Sequence, residues 1–382
     1  MTTRTDWSLI LLLFAVGLFA AWQFAKIALV LPDVASAYGR APEAVAWLVS
    51  IVGLVGILLG AIGGNVAASL GARRVVLFAI WLGAGLSILQ AIGLPLPLLA
   101  ATRAAEGLSH LLIVVSAPVL IAGAATDRSR SVAMGLWATF FGVAFALGAV
   151  LFPPVVEALS LRGLFVAHGL GFALLAVLVA PRLERQLRRP VGTDIIAQHA
   201  RIYGAPRRAM PGLCFVFYTI LFVALVTLIP VAFHQTWLAA VLPLISLSGT
   251  FGAGWLARRI AAPRLLVLGF VGCLLSLALI WAGAFWGVFL LFATMGIVPG
   301  AAFALIPELN ASVPDRALAT GGIAQMGNVG STLGTPIFAA LLATGGEAGI
   351  WAGVALFSAG GLAATGLLSH LVRRERGGDV PV

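Results

Sequence analysis

The sequence predicts an all-α integral membrane protein with twelve transmembrane helices in two pseudo-symmetric six-helix halves, and three observations predict it. Of 382 residues, 61% are hydrophobic and 9% charged, at a mean hydropathy of +1.10, whereas globular domains carry about 25% charge. That composition excludes a water-soluble fold, because it supplies too few charges to clothe a surface and no interior large enough for the apolar residues. Apolar runs of membrane-spanning length recur from one end of the chain to the other. Finally, the chain repeats itself at about half its length.

A hydrocarbon layer about 30 Å thick takes roughly 20 helical residues to cross. Cutting at charges, prolines and glycine clusters leaves twelve such segments. They are Trp7 to Leu31, Val45 to Leu70, Val75 to Ile92, Leu96 to Ala125, Ser131 to Val156, Gly163 to Pro181, Pro211 to Phe233, Trp237 to Leu256, Leu265 to Ala282, Phe285 to Leu309, Ala317 to Thr344 and Gly349 to Val372. Lipid cannot satisfy backbone hydrogen bonds, so each is expected to be helical; the runs are too long and too uniformly apolar for barrel strands. The first is longer than a signal-peptide apolar region and reads as a membrane span.

Arginine sets the expected orientation. With a cytoplasmic N-terminus, nineteen arginines fall on the inner side and only Arg40 and Arg162 on the outer, with Lys26 and Arg103 inside spans. This positive-inside bias places both termini in the cytoplasm, as expected for a multi-pass protein of a bacterial inner membrane. The net charge of +10 is therefore a topology signal rather than a nucleic-acid footprint. Cys214 and Cys273 lie inside apolar runs and read as packing residues.

The longest polar stretch, Arg182 to Met210, holds seven arginines, two acids, Pro190 and Gly192. It reads as a cytosolic linker on the inner surface, dividing residues 1–181 from 211–382. The repeat supports that division. Gly64 to Arg74 corresponds to Gly254 to Arg264 at an offset of 190, Gly107 and Pro118 to Gly296 and Pro307 at 189, and Asp127-Arg128 to Asp315-Arg316 at 188.

These residues resemble the major facilitator superfamily over the whole chain. The loop from Gly64 through Gly71 to Arg73 is similar to the family's G-x-x-x-D-R-x-G-R-R signature, with Ala68 and Ser69 in place of the Asp-Arg pair. The resemblance implies a gating role for Gly64, Gly71 and Arg73, with a latch weaker than the family's or built from other groups. Arg103 to Gly107, with Ser109 and His110 following, is similar to the R-x-x-Q-G motif linked with proton coupling. Leu161 to Phe165 resembles W-R-x-x-F, and Gln325 to Pro336 a pattern of the second half. The antiporter pattern G-x-x-x-G-P-x-x-G-G is missing from span 5, where Gly142 and Gly148 are followed only later by Pro153 and Pro154, which argues against export.

Ionisable side chains inside spans are expensive and become the first functional candidates. Lys26 either snorkels to the outer headgroups or faces a cavity, with Trp22 on its face and Gln23 adjacent. Arg103, Glu106 and His110 share one stripe of span 4. They form either a structural pair with a hydrogen-bonded histidine, or a cavity-facing set in which Glu106 and His110 exchange protons and Arg103 binds an anionic group. Gln325 and Asn328 either bind a solute or hold helices together, packing being the stronger reading for Asn328. Trp137, Phe141 and Tyr218 offer flat surface to a planar ligand, although such aromatics more often face lipid or neighbouring helices. His168 and His234 read as interface residues, and His199 and His370 as solvated.

No P-loop, HExxH or GxSxG occurs, so no enzyme is expected, ATP does not drive the chain directly, and no cofactor or metal is called for. The expected function is secondary, proton-coupled or facilitative transport of a small organic solute by alternating access, with the site at mid-depth between the halves. Two cationic groups against one acid favour a neutral, zwitterionic or anionic planar nutrient, such as a vitamin-like heterocycle, taken up by symport. The alternative is multidrug/proton efflux within the same superfamily. The expected partners are the small-molecule substrate, protons and the lipid bilayer, without nucleic acid, and the expected state is a monomer.

Overall fold

A computed structural model describes residues 4–184 and 194–378. Arg185, Arg188, Arg189, Pro190 and Gly192, read above as part of the linker, fall outside the described residues. Among the described residues every regular element is helical. In chain order these are α1 (Trp7–Ala28), α2 (Leu31–Ala37), α3 (Pro42–Val45), α4 (Trp47–Ser50), α5 (Leu54–Leu70), α6 (Ala72–Gln90), α7 (Leu96–Ala124), α8 (Asp127–Ala138), α9 (Phe140–Val179), α10 (Ile195–Tyr203), α11 (Pro206–Ala232), α12 (Leu238–Leu256), α13 (Ala262–Trp281), α14 (Gly287–Met295), α15 (Ile297–Leu309) and α16 (Val313–Gly378). Short 3₁₀ turns at Ile51–Gly53 and Ala180–Arg182 join them.

Ten stretches among the described residues are long and apolar enough to cross a membrane. Two are far longer than one crossing, 43 residues from Phe140 to Arg182 and 62 from Pro314 to Glu375. Each is interrupted by a left-handed residue, Ser160 at φ 59° in α9 and Gly346 at φ 58° in α16. A right-handed helix cannot continue through that conformation, so the axis breaks there.

The chain divides into two compact units, residues 1–56 with 62–193, and residues 57–61 with 194–382. The second unit takes in α10, and α11 begins at Pro206, so most of the described part of the expected linker is helical. Asp194 starts α10 by accepting a hydrogen bond from the Ala197 amide at 3.0 Å, and Asp6 starts α1 likewise from Leu9 at 2.9 Å; both bonds satisfy amides that a helix N-terminus leaves open.

In the first unit α1, α6, α7 and α9 pack on one another around a core that includes Leu13, Val16, Val76, Ile80, Ile113 and Phe172. In the second, Met210, Cys214, Leu266, Phe270, Val298 and Leu305 form the core between α11, α13 and α15. Both surfaces are apolar as well: Val150 is 62% exposed and Leu174 58% in the first unit, Leu275 62% and Leu356 66% in the second. Such a surface suits lipid, where helices hold together by close packing and interhelical hydrogen bonds. Gly107 shows how close: a Cβ there would lie 2.1 Å from the Val52 carbonyl oxygen.

Candidate functional site

Inside the apolar first unit the four packed helices enclose a polar cluster. α1 brings Lys26, α6 Ser87, α7 Arg103 and Glu106, and α9 His168. Lys26, Arg103 and Glu106 are fully buried. The Lys26 ammonium donates to Glu106 Oε1 at 2.6 Å, and Arg103 Nη1 donates to the other carboxylate oxygen, so Glu106 bridges two cations. Arg103 and Glu106 meet because three residues separate them along one helix face. Arg103 Nε donates to the Leu48 carbonyl at 3.2 Å, while Nη2 has no partner among the described residues.

A second line of bonds leaves Lys26 on its other side. Nζ donates to Ser87 Oγ at 2.9 Å, and that hydroxyl lies 2.9 Å from the Phe165 carbonyl and 3.0 Å from His168 Nδ1. His168 Nε2 faces the Phe19 carbonyl at 3.0 Å and must carry its hydrogen there. The Phe165 ring closes over Lys26, 5.2 Å from Nζ to centroid. One formal positive charge is left over when Lys26, Arg103 and Glu106 are all ionised.

The structure gathers three of the expected site residues, Lys26, Arg103 and Glu106, and sets the others elsewhere. Gln23 Nε2 donates to Ser109 Oγ at 3.0 Å, which in turn donates to the Ala79 carbonyl at 2.7 Å. His110 Nδ1 donates to the Ala20 carbonyl at 3.0 Å and stacks edge-on against Phe24. It thus ties α7 to α1 rather than joining Glu106. Trp137 lies flat on Phe140, with ring centroids 4.6 Å apart, and Phe141 meets Phe24 and Phe145. Tyr218 belongs to the second unit and stacks on Phe222.

In that second unit Gln325 is fully engaged. Its Oε1 accepts from Tyr203 at 2.7 Å, and its Nε2 donates to the Ile57 carbonyl at 2.7 Å and lies 2.5 Å from His199 Nε2. Tyr203 and His199 both come from α10. Burial pushes the Tyr203 phenol up to about 12, so it stays a donor through the neutral range. Asn328 donates to the Ala324 carbonyl of its own helix at 2.8 Å.

At the far end of the first unit, Gly71 takes φ 87° between α5 and α6, and the position of Gly64 is open. Arg73 donates from Nε to the Leu183 carbonyl at 2.9 Å and from Nη2 to that of Ala180 at 3.2 Å. A cation on the last carbonyls of a helix is favoured by their unpaired lone pairs and by the helix dipole.

Two readings from sequence are corrected. His168 is not an interface residue but a buried one, 3% exposed, because Ser87 and the Phe19 carbonyl offer it partners inside the bundle. His199 is half-buried against Gln325 rather than solvated. The sequence does not single out Ser87, and Phe165 enters it only as the last residue of the W-R-x-x-F resemblance; a lone serine in an apolar span carries no pattern until four helices assemble. Among the described residues no group of His, Cys, Asp and Glu is placed to hold a metal.

Comparison with known proteins adds two findings. The multidrug efflux pump LfrA of Mycolicibacterium smegmatis is 28% identical over 196 residues, which cover 50% of this chain. The match spans only 38% of that pump's length. The sequence profile of the Major Facilitator Superfamily, a family of transporters rather than enzymes, matches residues 11–310. With membrane-length apolar helices, a lipid-compatible surface and a match over most of its length, the chain belongs to the major facilitator superfamily.

Proposed function

We propose that the protein is a secondary transporter moving a small organic solute by alternating access, coupled to protons through the buried cluster of the first unit. The observation that carries this reading is the Lys26–Glu106–Arg103 set at zero exposure. Ionised groups so placed are costly in an apolar bundle and are retained for ion pathways and coupling. Counting each of the two interrupted stretches as two crossings gives twelve spans. An even number of spans, together with the arginine asymmetry, supports a reading with both termini in the cytoplasm of a bacterial-type inner membrane. We take the monomer as the working unit.

The charge excess of the cluster supports a neutral, zwitterionic or anionic solute, and a planar nutrient brought in by symport remains consistent with the aromatic residues of both units. A second reading, efflux of amphipathic drugs against protons, is favoured by the resemblance to the mycobacterial multidrug efflux pump. A thermal-shift screen of metabolites and drugs on the purified protein separates the two, since a ligand binding the folded state raises Tm. A metabolite hit that accumulates in energised vesicles supports uptake. Drug hits expelled from cells in a protein-dependent manner support efflux, and no stabilising ligand in either set counts against both.

A further inference from the structure

We propose that the exchangeable proton is held by Lys26, whose ammonium passes it through Ser87 to His168 and returns as the neutral amine. This rests on the proton-coupled reading above and names the group that does the coupling. With Lys26 ionised, the enclosed cluster holds two cations and one anion, and an uncompensated charge in such surroundings costs several kcal/mol. Arg103 cannot shed its proton at ordinary pH. Protonating Glu106 would make matters worse, because both its oxygens face cations and two positive charges would remain. Only the loss of a proton from Lys26 leaves a neutral whole, a closed Arg103–Glu106 pair beside an amine.

The geometry supplies the way out. Ser87 Oγ accepts from Lys26 at 2.9 Å and has one hydrogen of its own to place, with the Phe165 carbonyl at 2.9 Å and His168 Nδ1 at 3.0 Å as its two acceptors. Since Nε2 keeps its hydrogen on the Phe19 carbonyl, neutral His168 presents a lone pair at Nδ1. With the hydroxyl turned that way, donors and acceptors run in one direction from Lys26 to His168. As an Nζ–H bond of Lys26 breaks and its proton joins Ser87 Oγ, the original O–H breaks and its proton joins Nδ1. The imidazolium gives the Nδ1 proton to a water molecule, forming hydronium, when alternating access opens the bundle and admits water to His168. Ser87 and neutral His168 are restored, and reloading is the reverse.

Water comes close. A cavity of about 520 Å³ within the first unit is lined by Asp33, Gln90, Arg162 and Phe165, among others. Phe165 stands one helical turn before His168, lines that cavity, and carries the ring that covers Lys26. Among the described residues, the ionisable groups around Lys26 are Glu106 and Arg103 from α7 and His168 from α9; α6 contributes the neutral Ser87, and the Leu48 carbonyl of α4 accepts from Arg103. His110 is turned toward Ala20 and takes no part.

Lys26 is the chain's only lysine, so protein labelled with ¹³C,¹⁵N-lysine and placed in nanodiscs shows one lysine side chain by NMR. The expected result is an ammonium signal near pH 6 that is mostly amine by about pH 9, where a free lysine is under about a tenth amine. A signal that stays ammonium to about pH 10 overturns the proposal. The route is tested by Ser87→Ala, expected to slow proton exchange between Lys26 and water by about tenfold or more; unchanged exchange removes the Ser87–His168 path. If Lys26 switches as stated and no pH gradient drives transport, the proton site stands and the transport reading falls. Gradient-driven transport with a permanently charged Lys26 does the opposite.

Discussion

Replacing Glu106 with Gln removes the one anion between two buried cations, and its effect on stability can be worked from the distances. At 2.6 Å, the Lys26–Glu106 contact is worth about 6 kcal/mol of gross attraction at an effective dielectric of about 20. Desolvation of the ions offsets most of this. The net cost of breaking such a pair from one side is about 3–5 kcal/mol, because the partner is left as an uncompensated charge. At about 2–4 °C per kcal/mol for a unit of this size, Glu106→Gln should lower Tm by roughly 6–20 °C. Lys26→Met is the informative contrast. It leaves Arg103 and Glu106 paired and the cluster neutral, so it should cost only the lost hydrogen bonds, about 1–3 kcal/mol. Thermal unfolding of the two purified variants, followed by tryptophan fluorescence, checks both numbers. A Lys26→Met protein less stable than Glu106→Gln would refute the charge count, as would a Glu106→Gln protein as stable as the wild type.

Gly107→Val should strip folded protein from detergent extracts, since even a Cβ would lie 2.1 Å from the Val52 carbonyl oxygen and overpacking of this kind costs about 1–3 kcal/mol or more; size-exclusion chromatography reads the monodisperse fraction. Arg73→Ala should free the Leu183 and Ala180 carbonyls, with faster amide hydrogen exchange across residues 179–184 and little change in α1. Tyr203 is raised to about 12 by burial, so its contribution is fully present below about pH 10, the value of a free phenol, and is lost as pH climbs through 12. Tm should accordingly fall more steeply above pH 10 in the wild type than in Tyr203→Phe.

How much of this was legible beforehand depended on whether the signal lay along one helix or across several. Apolar runs and interrupting charges anticipate helices of membrane-spanning length, and ten such stretches occur among the described residues. They also placed the turns that the structure breaks at Ser160 and Gly346, because lipid forces each run into a helix whatever its neighbours. The pairing of Arg103 with Glu106 is local, three residues on one face, and spacing alone anticipates it. Lys26 meeting Glu106, or Ser87 meeting His168, joins residues about 80 positions apart and depends on how α1, α6, α7 and α9 rotate against each other. Sequence spacing carries nothing about that rotation. It is also why His110, on the same stripe as Glu106, turns out to bond Ala20 instead. Gln325 was visible as a polar residue in an apolar span, but its partners on α10 sit in a stretch whose arginines and prolines read as linker rather than helix.

The central claim is that the buried Lys26–Glu106–Arg103 set couples solute movement to a proton gradient. The most direct measurement is uptake of the solute found by thermal shift into proteoliposomes carrying an imposed pH difference, with wild-type protein beside Lys26→Arg, which keeps the charge but holds its proton. Accumulation that requires both the gradient and the native lysine is the predicted result. Equal, gradient-dependent accumulation by the arginine variant would contradict it.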